Sequence, residues 1–256
     1  DPDLQRTPIR SEDGKRIRRA FLPRETWTLI SADWSQIELR VLAHFSNDAR
    51  LLGAFRNEID LHRATAAELF RVSESDVTQQ QRTIGKTVNF ATIYGQGATA
   101  LGQQLGLARK EAKEMIDRYF DVYSGVRRWL DETVAAAHEN GYVTTLLGRK
   151  RYIPELSSNN FTDRAYGERI ATNTPIQGSA ADLCKLAMLE IDRQFQAAGF
   201  EAKMMLQIHD ELLFEAPGDE VEQVTEVIRA CMERPYQLEA PLKVDIGSGA
   251  SWAEAH

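Results

Sequence analysis

The chain has 256 residues, 43% hydrophobic and 27% charged, which fits one large globular domain or two lobes and excludes a disordered or fibrous chain. A net charge of −7 and a pI near 5.4 argue against bulk attraction to nucleic acid, so any such binding must come from local clusters. No apolar run approaches a membrane span, and Asp1-Pro2-Asp3 is unlike a secretory signal, so a cytoplasmic protein with no membrane partner is expected.

Asp1 to Arg24 reads as a loop holding the densest basic run, Lys15-Arg16-Ile17-Arg18-Arg19, which suits either a solvated edge or phosphate contact. Trp27 to Ala32 reads as a short buried strand and Gln36 to Phe45 as a helix with Ile37, Val41, Leu42 and Phe45 inward. Asp33 then falls at a strand-to-helix junction, where the simplest role is an N-cap completed by Gln36 as a capping box. From Asp60 to Tyr152 the pattern is helical, broken by Gly95, Gly97, Gly106 and the Asn140-Gly141 stop. Tyr142 to Pro154 suggests a hairpin with a basic tip, Gly148-Arg149-Lys150-Arg151, for which a surface turn and a phosphate contact compete.

Asn173 to Ser179 reads as an irregular entry to a helix over Ala180 to Phe195. Lys203 to Ala216 alternates as a hairpin with Asp210-Glu211 at its tip, where tight turns prefer Asn-Gly or Asp-Gly; local violations of this kind tend to mark functional sites. A helix over Glu220 to Glu233 and a strand over Pro241 to Gly247 end the chain. Cys184 and Cys231 fall in helical segments without metal-ligand spacing and read as reduced thiols.

Arg82, Lys86, Phe90 and Tyr94 recur every four residues and form one slowly drifting stripe if Arg82 to Gly95 is helical. Two cations occupy one half and two aromatics the other. Arg82 to Phe90 spans about 12 Å along a helix, comparable to an extended nucleoside triphosphate. The stripe alone also suits a solvated basic edge backed by core aromatics. Asp33 and Asp210, each at the edge of an apolar strand, are placed where a sheet can bring them together. Such a pair repels unless protons or cations intervene, and two Mg²⁺ ions about 3.5–4 Å apart are one resolution, used in reactions at phosphorus.

These motifs resemble those of the family-A DNA polymerases, the DNA polymerase I family. Asp33-Trp34-Ser35-Gln36-Ile37-Glu38-Leu39-Arg40 is similar to the first palm motif, Arg82 to Gly95 to the nucleotide-binding fingers helix, and Gln207-Ile208-His209-Asp210-Glu211 to the second palm motif. Asp60-Leu61-His62, Gly148 to Tyr152, and Glu168-Arg169 through Asn173 to Gln177-Gly178 are further hallmarks in family order, so the likeness runs from Asp1 to about Trp252.

The resemblance implies an α+β fold, an antiparallel palm sheet with packed helices, with palm at residues 1–44 and 159–256 and an inserted helical fingers subdomain at 45–158. It implies template-directed addition of dNMP from dNTP to a primer 3′-hydroxyl, with release of pyrophosphate and with two Mg²⁺ ions. Asp33, Asp210 and the Trp34 carbonyl are the implied metal ligands, with Glu211 in support. Arg82, Lys86 and His62 are implied phosphate contacts, and Lys86 also the donor of a proton to the leaving group. Phe90 and Tyr94 would meet the incoming nucleotide, with Gln36 alongside, and Glu38 would block a ribose 2′-hydroxyl. Arg169, Asn173, Gln177, Gln207 and His209 would face primer-template DNA, and Arg149 its backbone. A two-metal nuclease shares the carboxylates but has no need of the stripe, and a non-catalytic nucleic-acid-binding fragment has no need of both aspartates.

Departures from the family pattern are Trp34 for the usual Tyr, Gly85 and Ala91 where Ala and Gly are common, and Arg6-Thr7 for Asn-Ile. Gly85 disfavours helix by about 1 kcal/mol relative to Ala, which predicts a more mobile helix. The resemblance further implies a monomer whose parent chain carries a thumb, commonly with an exonuclease-like domain, upstream of this sequence. Without a thumb and with its acidic balance, this segment is expected to bind primer-template weakly and with strong salt dependence.

Overall fold

The computed structural model describes residues 7 and 11–255. In chain order its elements are α1 (Glu12–Arg19), β1 (Trp27–Trp34), α2 (Ile37–Ser46), α3 (Ala49–Arg56), α4 (Leu61–Phe70) and α5 (Gln79–Ile93). Then come α6 (Ala98–Leu105), α7 (Arg109–Val122), α8 (Ser124–Asn140), β2 (Tyr142–Thr144) and β3 (Lys150–Tyr152). The long α9 (Phe161–Ala198) leads to β4 (Lys203–Ile208), β5 (Glu211–Pro217), α10 (Val221–Glu233), β6 (Val244–Gly249) and α11 (Trp252–Ala255). The fold is α+β, as expected. Two compact units divide it: Asp1–Ile37, Leu183–Gln237 and Leu242–His256 form the first, Glu38–Asp182 and Leu238–Pro241 the second.

The first unit is built on a four-stranded sheet in the order β4-β5-β1-β6, antiparallel throughout. Cross-strand partners point to the same face, so Leu29, Ser31 and Asp33 share a face with Leu213 and Glu211. Ile208 of β4 belongs to that face too, and Trp252, Ala255 and Phe21 pack against its apolar part. The opposite face carries Ile30, Ala32 and Trp34, and the Trp34 indole N–H donates to the Met232 carbonyl of α10 at 2.7 Å. Both cysteines are buried and free, and burial pushes the Cys184 thiol up to about 11.

Four expectations are corrected in detail. Asp33 is not an N-cap: β1 runs on to Trp34 because β5 and β6 hold it extended from both sides, and α2 begins only after Gln36, which is left-handed with φ 57°. The hairpin tip is His209-Asp210 rather than Asp210-Glu211, since Glu211 already pairs with Ile208. The basic run is helical, with Ser11 capping α1 and Arg18 only 2% exposed. Residues 1–6 and 8–10 of the expected N-terminal loop, including Arg6, lie outside the described residues. Finally, residues 161–198 form one helix through Pro175, without an irregular entry.

In the second unit tertiary bonds hold α9 on both sides of that proline. Arg151 donates to Thr174 Oγ1 at 3.2 Å, the Leu146 amide to Ser179 Oγ at 2.8 Å, and Thr145 Oγ1 to Asp182 Oδ2 at 2.5 Å. Arg149, at the β2–β3 turn, is itself paired with the other oxygen of the buried Asp182. Removing a buried partner leaves an uncompensated donor, so Asp182→Ala is expected to lower the unfolding free energy by about 2–4 kcal/mol, read by urea denaturation. An unchanged midpoint would mean the hairpin is held by packing alone.

α5 starts where a reciprocal capping box forms: the Gln81 amide donates to Thr78 Oγ1 at 3.2 Å and the Thr78 amide to Gln81 Oε1 at 2.9 Å. Gly85 faces α4, and a Cβ there would lie 2.4 Å from the His62 carbonyl oxygen. The glycine that weakens α5 by propensity is what lets the two helix backbones meet.

Candidate functional site

In the first unit the β1–β5 register sets Asp33 opposite Glu211, and the Trp34 amide donates to the Asp210 carbonyl at 3.2 Å. Asp33 and Asp210, far apart in sequence, therefore sit on adjoining strand ends as expected. On the other side Asp33 faces Asp245 of β6, a neighbour the sequence did not single out. Like charges opposed across a ladder are unfavourable. These acidic residues do not share one environment. Glu211 is 4% exposed, and its Oε1 accepts from Ser31 Oγ at 2.7 Å and from the Trp252 indole at 2.8 Å. The Arg18 guanidinium lies 3.8 Å from Glu211 Oε2 and stacks 3.9 Å over the Trp252 ring. Arg18 is thus an internal counter-charge, not a surface contact.

Asp210 is open to solvent on one side, yet enough protein surrounds it that desolvation raises its pKa, with Glu211 adding to the rise and His209 opposing it. His209 reaches this tip with φ 54°, an unusual conformation outside glycine. Gln207 donates to the His209 carbonyl at 3.2 Å. Among the described residues no group of three or more His, Cys, Asp or Glu side chains is arranged to hold a metal. The available set is two carboxylates and the Trp34 carbonyl, hard oxygen donors that fit Mg²⁺, and a bound cation would offset the desolvation that raises the Asp210 pKa.

In the second unit α5 carries the stripe as expected. Arg82 Nε donates to Asp60 Oδ2 at 2.6 Å, and Asp60 also caps α4 by accepting from the Arg63 amide at 3.1 Å. Burial pushes the Asp60 carboxyl up, but Arg82 and the Arg63 amide outweigh it and hold the pKa below the ordinary value. Lys86 is exposed. Phe90 lies between His62 and Tyr94, at 6.0 Å tilted and 6.3 Å stacked. The Tyr94 hydroxyl donates to Glu38 Oε2. Gly95 follows with φ 63°, and a Cβ there would lie 3.1 Å from Arg169 Cγ, so α9 passes directly beside the end of the stripe. Arg169, Asn173 and Gln177 are four residues apart on α9 and share one face. Gln36 in the first unit and Asn173 in the second each hold a buried side-chain oxygen with no hydrogen-bond partner among the described residues.

His62 is 3% exposed. Burial first, then Lys86 and Arg82, against Asp60, push its pKa down to about 4 from 6.5. The unfolded chain therefore holds more protons between those values, so this contribution to stability is complete above pH 6.5 and is lost as pH falls toward 4. The loss is at most about 3 kcal/mol. His62→Gln should flatten the pH dependence of the urea midpoint across this window; an unchanged slope would place the acid sensitivity elsewhere.

A family model described as DNA polymerase family A matches residues 1–254. The chain belongs to the family-A DNA polymerases. It is 48% identical to DNA polymerase I of Bacillus subtilis and 49% identical to that of Pseudomonas aeruginosa, over all 256 of its residues in each case. It spans 29% and 28% of the length of those two relatives. A solved structure, the POL domain of Pol1 from M. smegmatis in complex with DNA primer-template and dNTP, superposes with a TM-score of 0.96 at 44% identity, covering 99% of this chain and 45% of that one.

The sequence did not reveal Arg18, Ser31 and Trp252 as the setting of Glu211, nor the buried Thr65-Asn89-Tyr123 network beside His62. Asn89 carried a signal: an amide between Val88 and Phe90 on the inner side of a helix must find partners. Among the described residues no helix is long and apolar enough to cross a membrane.

Proposed function

We propose that this chain carries the nucleotidyl-transfer centre of a DNA polymerase, with palm at residues 1–44 and 159–256 and fingers at 45–158. The stripe on α5 carries the reading, because two cations followed by two stacked aromatics suit a triphosphate joined to a sugar and base, which a nuclease has no use for. Arg82, braced at Nε by Asp60, offers its remaining N–H groups to phosphate oxygens, and exposed Lys86 offers an ammonium. Phe90 and Tyr94 bound the sugar and base.

Asp33, Asp210 and the Trp34 carbonyl would hold Mg²⁺, which supplies a lowered pKa at the primer 3′-hydroxyl and neutralises charge on the triphosphate and the departing pyrophosphate. Having given up its proton to water, the 3′-oxygen attacks the α-phosphorus as the bond to the β-phosphate oxygen breaks, and Lys86 gives its Nζ proton to the leaving pyrophosphate. Ser31, Trp252 and Arg18 restrain Glu211 beside Asp33, so that it does not compete for the same ligand. The shared face of Arg169, Asn173 and Gln177 suits the minor groove, where polar groups test pair geometry without reading sequence. Gln207 and His209 are assigned to the same primer-template. Arg149 adds less than expected to DNA binding, since Asp182 already occupies it.

The test is single-nucleotide primer extension with Mg²⁺ at low salt. Template-matched addition supports the reading. Degradation of DNA without incorporation would replace it with a nuclease, and no extension by this chain together with none by a longer one that restores upstream segments would overturn it.

A further inference from the structure

Asn89 is fully buried in α5, and its side chain reaches α4. Its Nδ2 lies 3.1 Å from His62 Nδ1, and its Oδ1 accepts from Thr65 Oγ1 at 3.1 Å. Thr65 Oγ1 in turn lies 3.0 Å from the Tyr123 hydroxyl. All four side chains are within the second unit and nearly or wholly removed from water.

The order of donors in this row is determined by counting protons. Thr65 has one hydroxyl proton. If it goes to Asn89 Oδ1, Tyr123 donates to Thr65, Asn89 Nδ2 donates to His62 Nδ1, and every proton has an acceptor. If the amide is turned over, Asn89 Nδ2 donates to Thr65, Thr65 donates to Tyr123, and the Tyr123 proton is left without an acceptor among the described residues. A phenol is the better donor, and an unsatisfied buried hydroxyl is unfavourable. The first order wins.

We propose that Asn89 is a positioning residue that holds His62 as the Nε2–H tautomer, so that a neutral imidazole meets the nucleotide as a hydrogen-bond donor at Nε2. The inference rests on the reading of α5 as a nucleotide site and deepens it. Nε2 has no hydrogen bond among the described residues, while Nδ1 is occupied from behind. A neutral donor suits this place: Arg82 and Lys86 already supply positive charge nearby, and a third cation would repel both. Tautomer control by a bond to the other ring nitrogen is the usual way a histidine is given one role.

The experiment uses the whole chain labelled with ¹⁵N-histidine, with long-range ¹H–¹⁵N correlation at pH 7 and the His62 signals assigned by their absence in His62→Gln. The expected pattern is a protonated Nε2 and a bare Nδ1. Asn89→Asp replaces the donor with an acceptor of the same shape and should move the proton to Nδ1 or charge the ring. A wild-type Nδ1–H tautomer, or a pattern unchanged in Asn89→Asp, would overturn the assignment; the wild-type spectrum decides even if the variant fails to fold. Titration with Mg²⁺-dTTP should then shift the His62 Nε2 signal, with an affinity about tenfold weaker in Asn89→Asp and no further loss when His62→Gln is added. An Nε2–H tautomer whose signal ignores dTTP would overturn the nucleotide role while leaving the tautomer in place, which separates the two claims.

Discussion

Asp210→Ala is expected to reduce nucleotide incorporation by at least about 10³-fold without reducing stability. The activity loss follows because a site with two carboxylates and one carbonyl cannot spare a carboxylate: the same ligand serves activation of the 3′-hydroxyl and neutralisation of the triphosphate. The stability result follows from the sign of the Asp210 shift. Desolvation, reinforced by Glu211 and opposed by His209, raises its folded pKa, so between the unfolded and folded values the native state holds the extra proton. Stability from this group therefore falls as pH rises through that window, and above it the ionised carboxylate opposes folding. Removing it should leave the thermal midpoint unchanged or higher. Primer extension and thermal denaturation on one preparation check both parts. Activity lost together with a lower midpoint would mean Asp210 holds the hairpin, and activity retained would remove it from the metal site.

The contrast with Glu211 explains why adjacent carboxylates are assigned different work. Glu211 has hydrogen bonds from Ser31 and the Trp252 indole and the Arg18 guanidinium nearby, all inside the core. Asp210 at the turn has no such setting and is the one that gains from a cation. The two are neighbours in sequence and read there as one acidic tip. Only the register, with Glu211 in the β5 ladder and Asp210 outside it, tells them apart.

What was legible in the sequence was whatever depends on local period. The four-residue spacing of Arg82, Lys86, Phe90 and Tyr94 placed the stripe along one helix and its C-cap, and alternation found β4 at Leu206-Gln207-Ile208 and β6 from Val244, although the expected strand start at Pro241 lies before it. What failed depended on partners distant in the chain. Asp33 with Gln36 has the local form of a capping box, but two flanking strands override it. Pro175 has the form of a helix break, but bonds from Leu146 and Arg151 carry α9 through. The cluster of five residues from Lys15 to Arg19 suggested a surface, and nothing local shows that Arg18 turns inward to Trp252. Gly85 read as a weakness because its helix propensity is a local quantity, whereas the close approach of the His62 backbone is not.

The same distinction governs the other large effect. Glu38→Ala is expected to reduce discrimination between dCTP and CTP by about 100-fold or more, while slowing dCTP incorporation far less. A carboxylate near C2′ excludes a hydroxyl only if it cannot move, because a mobile side chain yields to a group as small as one oxygen. Glu38 is held: the Tyr94 hydroxyl donates to its Oε2, and Tyr94 is fixed in turn as the C-cap of α5 and by its stack on Phe90. Truncation removes both the bulk and the charge, and about 3 kcal/mol of selectivity corresponds to that fold-change. Tyr94→Phe keeps the ring but removes that one bond to Glu38, so its effect should be intermediate, near tenfold. The measurement is the ratio of kcat/KM for dCTP and CTP opposite dG in single-nucleotide incorporation. An unchanged ratio in Glu38→Ala would remove Glu38 from sugar selection, and a Tyr94→Phe loss as large as that of Glu38→Ala would show that the bond, more than the bulk of Glu38, makes the barrier.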